Sequence, residues 1–347
     1  MRVVVTGAAG MLGGDVVSVA GAEGHEVTAL AHDDLDVTDP VRVDRVIGRA
    51  RPDVVVNCAA YTNVDGAESD AKQAELVNAQ GAGFVADAAA KAGAKVIYVS
   101  TDYVFDGEKH APYRESDDPD PINVYGRTKL GGERATATVT KRSFIVRTSW
   151  LFGPRGGNFV ETMLRAGQGG GPVVVVHDQV GCPTYTGHLA VGIVRLLDST
   201  AFGYHHMAGS GSCSWYEFAL EIFRQAEVVT RVMATTTEMM ERPATRPPNS
   251  VLTSGREAPI TLPDWQRGLG DYLARRAHPE AEPAKPKRSA ATRRQPALDW
   301  DRLREQEEET DEGAEAPAEG EGPGEGEPGA EGEDPGESER AREGGTE

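Results

Sequence analysis

Arg2-Val3-Val4-Val5-Thr6-Gly7-Ala8-Ala9-Gly10-Met11-Leu12-Gly13 is the stretch from which the fold is read. Three consecutive valines bounded by glycine form a short β-branched run, which reads as a first strand, Arg2–Val5. Glycines then fall at positions 7, 10 and 13 and open a helical pattern over Met11–Ala22. Such glycines let the backbone turn tightly, approach a pyrophosphate and seat the helix on the sheet, while the helix N-terminus supplies a positive dipole. In a chain with 41 glycines the spacing alone is weak and also fits a plain turn. Its position directly after an N-terminal strand favours a dinucleotide loop built from Gly7, Gly10, Met11, Leu12 and Gly13.

Outward from that stretch, β-branched runs alternate with Ala-rich helical patterns. Glu26–Leu30, Asp53–Asn57, Lys95–Ser100 and Ser143–Arg147 read as strands; Val41–Arg49, Ala71–Ala92 and Asn123–Ala137 read as helices. Pro40 suits a helix start and Gly93 a helix end. This alternation predicts an α/β fold, a Rossmann-type doubly wound parallel sheet buried on both faces. The second half is less regular, with helices from Asn158, over Gly187–Leu197, Trp215–Gln225 and Trp265–Leu273, and strands at Pro172–His177 and Tyr204–Met207. The expected organisation is a dinucleotide-binding domain over 1–150, a smaller α/β substrate-binding region over 151–276 interleaved with it, and a linker with an acidic tail over 277–347.

The 347 residues carry 36 Lys and Arg against 55 Asp and Glu, a net charge of -19. The imbalance is local: residues 277–347 hold 22 acids and 9 bases, leaving 33 acids and 27 bases for the body. From Glu305 onward there is no Val, Ile, Leu, Met, Phe, Trp, Tyr or Cys. Nothing there offsets the entropy of ordering, so the tail is expected to be disordered. A mildly acidic body disfavours nucleic acid as a partner. The longest apolar runs, such as Val173–Val176, are far below the roughly 20 residues that a bilayer requires, so no membrane association is expected. The N-terminus reaches glycine too soon for a secretory segment. Cys58, Cys182 and Cys213 are odd in number and not in CxxC spacing, which argues against a disulfide framework or a zinc site; a reducing cytoplasm is the default.

Three further constellations bear on chemistry. At the end of the second strand, Ala29-Leu30-Ala31-His32 offers no carboxylate at Ala31 to hold ribose hydroxyls, so NADPH is mildly favoured over NADH. His32 is either a phosphate neighbour or an exposed loop residue. Asp36-Val37 either borders an adenine or precedes an N-cap, since Asp39-Pro40 follows. At the end of the third strand, Asn57-Cys58-Ala59-Ala60-Tyr61 offers small residues against which a flat ligand can lie; a tight core turn explains them equally well. Ser100-Thr101-Asp102-Tyr103-Val104-Phe105-Asp106-Gly107 ends the fourth strand, and Tyr125-Gly126-Arg127-Thr128-Lys129 follows. Tyr125 and Lys129, at i and i+4, share a helix face, so the ammonium is expected to lower the phenol pKa toward that of a working acid/base. A lone YxxxK is ordinarily a surface pair; behind a dinucleotide loop and a strand-end Ser-Thr it becomes strong, with Thr101 positioned to bond the reacting oxygen.

These residues resemble the extended short-chain dehydrogenase/reductase family. Asn57–Tyr61 with Val64-Asp65, Ser100–Gly107, Arg147–Gly153, Asp178–Thr184 and Arg246–Leu252 are similar to its branch that reduces the 4-keto group of dTDP-linked 6-deoxy sugars, over about residues 1–275. The resemblance implies hydride transfer from NADPH (or NADH) to C4 of a nucleotide-sugar substrate. It implies Tyr125 as proton donor, Lys129 as its tuner and ribose ligand, and Thr101 as the group that orients the keto oxygen. Ala59, Ala60, Tyr61 and Asn78 are implied beside the cofactor. Val64, Asp102 and Tyr103 are implied beside the sugar. Trp150 packs on the sugar or is a core aromatic. Asn158, Arg246 and Asn249 are implied at the nucleotide diphosphate, Arg246 because a guanidinium pairs bidentately with phosphate, unless it is a solvated loop charge. A homodimer is also implied, without a recognisable metal-ligand cluster.

A related dehydratase has Thr-Asp-Glu at the strand end; here the third residue is Tyr103, so reduction is preferred over elimination. The alternatives are a 4-ketoreductase of another dTDP-deoxysugar and a non-catalytic dinucleotide-binding regulatory subunit. Gly126, Gly131 and Gly132 depart from a good helix, each costing about 1 kcal/mol relative to Ala, and suggest close packing.

Overall fold

The computed structural model describes residues 1–278. The first half runs β1 (Arg2–Thr6), α1 (Met11–Ala22), β2 (Glu26–Leu30), α2 (Pro40–Ala50), β3 (Val54–Asn57), α3 (Val64–Ser69), α4 (Ala71–Glu75), α5 (Ala82–Lys91), β4 (Lys95–Thr101), α6 (Val124–Val139) and β5 (Ser143–Thr148). The second half runs β6 (Leu151–Phe152), α7 (Phe159–Gly167), β7 (Val173–Val176), β8 (Val180–Gly181), β9 (Thr184–Tyr185), α8 (Thr186–Leu196), β10 (Gly203–His206), β11 (Cys213–Ser214), α9 (Trp215–Gln225), β12 (Val232–Thr235) and α10 (Trp265–Ala277).

Six strands form one sheet in the order β10-β5-β4-β3-β1-β2, and every pairing in it is parallel. Period-two alternation sends Val3 and Val5 to a face covered by α1 and α8, with Leu12, Val16, Leu189 and Ile193. Val4 and Val55 go to the face covered by α2 and α5, with Val43, Ile47 and Val85. That is why the strands read as continuous apolar runs. The sixth strand, β10, comes from the second half of the chain. A separate aromatic core, with Phe152, Phe218, Tyr185, Trp265 and Tyr272, joins α7, α9 and α10. The sheet winds outward in both directions from between β1 and β3, and this switch point opens a crevice at the strands' C-terminal ends.

Two expectations need correction. Ala71–Ala92 is not one α-helix: a π-helical turn, Leu76–Gly81, separates α4 from α5. Such turns insert an extra residue and frequently occur at functional sites. Here the turn carries Asn78, whose Oδ1 accepts from Tyr61 N at 2.8 Å and whose Nδ2 donates to Tyr61 O and Thr128 Oγ1. The last helix reaches Ala277 rather than Leu273, and Arg275 and Arg276 in its last turn pair with Asp15 and Glu161. The expected disorder of the tail lies outside the described residues from position 279 onward.

The glycines of α6 have a packing reason. A Cβ on Gly126 would lie 2.0 Å from Tyr103 O, and one on Gly132 would lie 2.2 Å from both Asn78 O and Tyr98 Oη. The helix therefore sits on the loop after β4 at backbone distance.

Candidate active site

At the switch point, Thr6 Oγ1 donates to Asn57 Oδ1 at 2.7 Å, and Ala59 N donates to the same oxygen. The two strand ends are thereby locked together. Gly7 takes φ +65°, and a Cβ there would meet Ala59 N at 2.7 Å and Cys58 carbonyl at 2.8 Å. A Cβ on Gly13 would be 2.3 Å from Gly7 O. Gly10 caps α1 without a side chain, and no acid stands in the first turn. The first-turn N–H groups of a helix lack intrahelical acceptors, so this bare cradle fits a dinucleotide diphosphate.

The cradle forms one end of a cavity of about 740 Å3 whose other end is formed by β4, α6 and the chain after β5. Thr101 ends β4. Tyr125 and Lys129 project from the first two turns of α6, whose start is fixed by Asn123 accepting from Gly126 N at 2.7 Å. Thr101 donates to Asp102 Oδ1 at 3.0 Å and accepts from Tyr103 N at 3.2 Å; its hydroxyl acts on the Tyr125 phenol in the direction that lowers its pKa. Lys129 Nζ donates to Val99 O at 2.6 Å and lies 4.2 Å from the centroid of the Tyr98 ring.

Here the electrostatics differ from the expectation. Burial pushes Tyr125 up to about 12 and Lys129 down to about 7, Glu133 partly opposing the latter. Desolvation is the leading cause for both groups, and the Lys129 ammonium is not among the charges acting on the phenol. Tyr125 is consequently a neutral phenol near neutral pH, which is the form of a proton donor. One turn beyond Lys129, Glu133 is fully buried and accepts from Arg147 Nε and Nη2 at 2.8 and 2.7 Å and from Ser100 Oγ at 2.5 Å. Asp102 is also buried; desolvation pushes it up to about 7 against the hydroxyls of Ser250 and Thr101, and its Oδ2 has no hydrogen-bond partner among the described residues.

Of the residues singled out in the sequence, the cavity brings together Gly7, Gly10, Met11, Leu12, Gly13, His32, Ala60, Val64, Thr101, Asp102, Tyr103, Tyr125, Lys129 and Trp150. Others have different work. Val37 is core, packed with Leu35 and Val43. Asp36 spends Oδ1 on Thr38 N and Oγ1, while Asp39 caps α2. Ala59 packs against the core at the cradle's back, and Tyr61 packs with Ala67 and Val124, its backbone held by Asn78. Asn158 is the N-cap of α7 and also donates to Gly153 O. Arg246 is held by Asp65 Oδ2 at 2.8 Å. Asn249 donates to Lys109 O and accepts from Val251 N. Val37, Asn158 and Asn249 therefore do not line the cavity: Val37 packs in the core, Asn158 caps α7, and Asn249 bonds loop backbone.

Cys58 and Ser149, which lay inside quoted runs, line the cavity too, as do Thr62, Arg155 and Trp215, which were not singled out. Trp215 reaches it only by tertiary packing: its ring stacks on Trp150 with centroids 3.5 Å apart and planes 4° apart. Trp150 holds φ +46° to do so, and Gly181 leaves room, since a Cβ there would enter the Trp150 ring at 2.4 Å. For Arg155-Gly156-Gly157 a glycine-rich turn beside a cation was a usable signal. Among the described residues no group of three or more His, Cys, Asp or Glu side chains could hold a metal ion.

Diphosphate cradle, switch point and the Thr–Tyr–Lys set define an extended short-chain dehydrogenase/reductase architecture. Comparison with known proteins makes this particular. The family described as RmlD substrate binding domain matches residues 1–278, and the chain belongs to that family. A dTDP-4-dehydrorhamnose reductase of Mycolicibacterium smegmatis is 41% identical over 280 residues, covering 79% of this chain and 85% of that protein. A probable dTDP-4,6-dihydroxy-2-methyloxan-3-one 4-ketoreductase of Streptomyces antibioticus is 41% identical over 275 residues, covering 78% and 93%. The crystal structure of a Bacillus anthracis dTDP-4-dehydrorhamnose reductase in complex with NADP shares 39% identity and a TM-score of 0.77, covering 79% of this chain and 98% of that one.

Proposed function

We propose that this chain reduces the C4 keto group of dTDP-4-dehydro-L-rhamnose to give dTDP-L-rhamnose, with NADPH as the preferred reductant. The carrying observation is the convergence of Thr101, Tyr125 and Lys129 on one cavity whose far end is a diphosphate cradle. The bound nicotinamide supplies a hydride to C4. Tyr125 Oη gives its proton to the oxygen that becomes the C4 hydroxyl, Thr101 orients that oxygen, and Lys129 bonds the cofactor ribose. Asp102 Oδ2, buried without a partner, accepts from a sugar hydroxyl. Tyr103, Val64 and Trp150 border the sugar ring, and Arg246, presented by Asp65, faces the nucleotide diphosphate. NADPH is supported by the absence of a carboxylate at Ala31, whose N–H is taken by Asp34 Oδ2 at 2.9 Å, by His32 at the cavity, and by the NADP-bound relative.

A second reading, reduction of another dTDP-linked 4-keto-deoxysugar, is favoured by the Streptomyces relative, since the same set serves either sugar. The test is a spectrophotometric assay of NADPH and NADH consumption with both sugar classes. Turnover with dTDP-4-dehydro-L-rhamnose at least tenfold above the other sugar supports the first reading, the reverse ratio supports the second, and no turnover with either sinks both. Among the described residues no helix is long and apolar enough to cross a membrane. Three free cysteines suit a reducing cytoplasm, and the family resemblance supports a homodimer, which sedimentation equilibrium reads directly.

A further inference from the structure

Asp15 poses an electrostatic problem. It stands on the second turn of α1, one turn beyond the diphosphate cradle, and is 1% exposed. An ionised carboxylate so placed opposes an anion at the helix N-terminus. It is met there by Thr186 Oγ1, which donates to Oδ2 at 2.6 Å, and by two guanidiniums at Oδ1: Arg275 at 2.9 Å and Arg155 at 3.3 Å.

Arg155 belongs to the loop between β6 and α7, and that loop is seated on α1. A Cβ on Gly153 would lie 2.0 Å from Thr186 Oγ1 and 3.0 Å from Met11 Cγ, and Asn158 Nδ2 bonds Gly153 O at 2.9 Å. The Arg155 stem then crosses Gly14, where a Cβ would meet Nη1 at 2.5 Å and Cδ at 2.8 Å. Two adjacent glycines thus serve different ends: Gly13 clears the cradle and Gly14 clears Arg155. Arg155, Gly156 and Gly157 line the cavity with Gly10, Met11 and Gly13. Of the two guanidiniums on Asp15, Arg155 has the longer contact and the more exposed side chain.

We propose that Arg155 is a further cofactor-binding residue, closing over the diphosphate of the dinucleotide while Asp15 fixes its direction. A guanidinium fork matches phosphate oxygens, and a cation beside the first turn of α1 adds to the helix dipole already aimed there. The diphosphate is common to NADPH and NADH, so Arg155 serves affinity without choosing between them. This rests on the cofactor assignment; a wild-type protein that binds neither dinucleotide would remove that assignment rather than the role of Arg155.

The test is titration of the full chain with NADPH and NADH, following nicotinamide fluorescence, for wild type, Arg155→Gln and Arg155→Lys, with dTDP binding measured separately. Arg155→Gln should raise Kd for both dinucleotides by tenfold or more and by the same factor, leaving dTDP affinity within twofold; Arg155→Lys should recover part of the loss. Dinucleotide affinities within twofold of wild type, with or without a lowered melting temperature, would overturn the proposal by reducing the ion pair to a loop fastener. A loss confined to NADPH would place Arg155 at the 2′-phosphate, and a loss of dTDP alone would place it at the substrate diphosphate; either overturns it. Should the glutamine variant fail to fold, the lysine variant decides: its Kd must rise several-fold for both dinucleotides.

Discussion

Tyr125 is partly buried at the cavity wall, and its titration follows from that desolvation. A phenol held up to about 12 by desolvation is protonated near neutral pH, the form that the proposed donor role needs. Tyr125→Phe removes that proton and almost no surface, so turnover should fall by at least the roughly 10²–10⁴-fold typical of general acid catalysis, with NADPH affinity unchanged. A variant retaining more than a tenth of wild-type turnover would dismiss Tyr125 as the donor. Asp102 makes a separate prediction in stability. Its folded pKa, about 7, lies above the unfolded value of about 3.9, so the folded state binds the proton more tightly between those limits. Stability is therefore lost as pH rises through that window, at up to about 1.4 kcal/mol per pH unit. Asp102→Asn should gain on wild type in denaturant-measured stability from pH 4 to 7; a constant difference would deny the shift. That Tyr125, Lys129 and Thr101 meet in one cavity was legible because strand-end and i,i+4 positions are local facts. The direction of their titration was not, since desolvation depends on what is packed around them.

Helix α6 shows how far periodicity carries. Its extent and the close packing signalled by its glycines were nearly readable, but the partners were not, since they are backbone from Tyr103 and Asn78 and side chain from Tyr98. Gly126→Ala should gain about 1 kcal/mol of helix propensity and lose more than that to overpacking, commonly about 1–3 kcal/mol, because the Cβ meets a carbonyl that cannot swing away. Thermal melts should show a net loss. Gly48→Ala in α2 is the control: nothing lies within 4 Å of its Cβ, so it should stabilise by up to about 1 kcal/mol. Equal shifts in the two variants would contradict the packing account. The five strands of the first half were read to within a residue or two, being buried on both faces. The π-helical turn escaped because Asn78 is drawn inward by Tyr61 and Thr128, partners 17 and 50 residues away.

At the scale of the molecule, the sheet core and the aromatic cluster around Phe152 and Phe218 lie, among the described residues, between Val3 and Leu273. The composition beyond Glu305 offers nothing to a core, so deleting 305–347 should leave melting temperature and turnover unchanged. A fall of several degrees at low salt, abolished at high salt, would instead reveal an ionic contact with the body or the basic stretch 285–294. What sequence could not supply was long-range assembly, and Trp215 against Trp150 is the clearest instance, 65 positions apart. That pair has an optical consequence. Two indoles at 3.5 Å with parallel planes share their excited states, so among the chain's four tryptophans they should give an exciton signature in circular dichroism, absent from Trp215→Phe. A sugar nucleotide that parts or re-tilts the rings would then report its own arrival in the ultraviolet, without turnover and without a label.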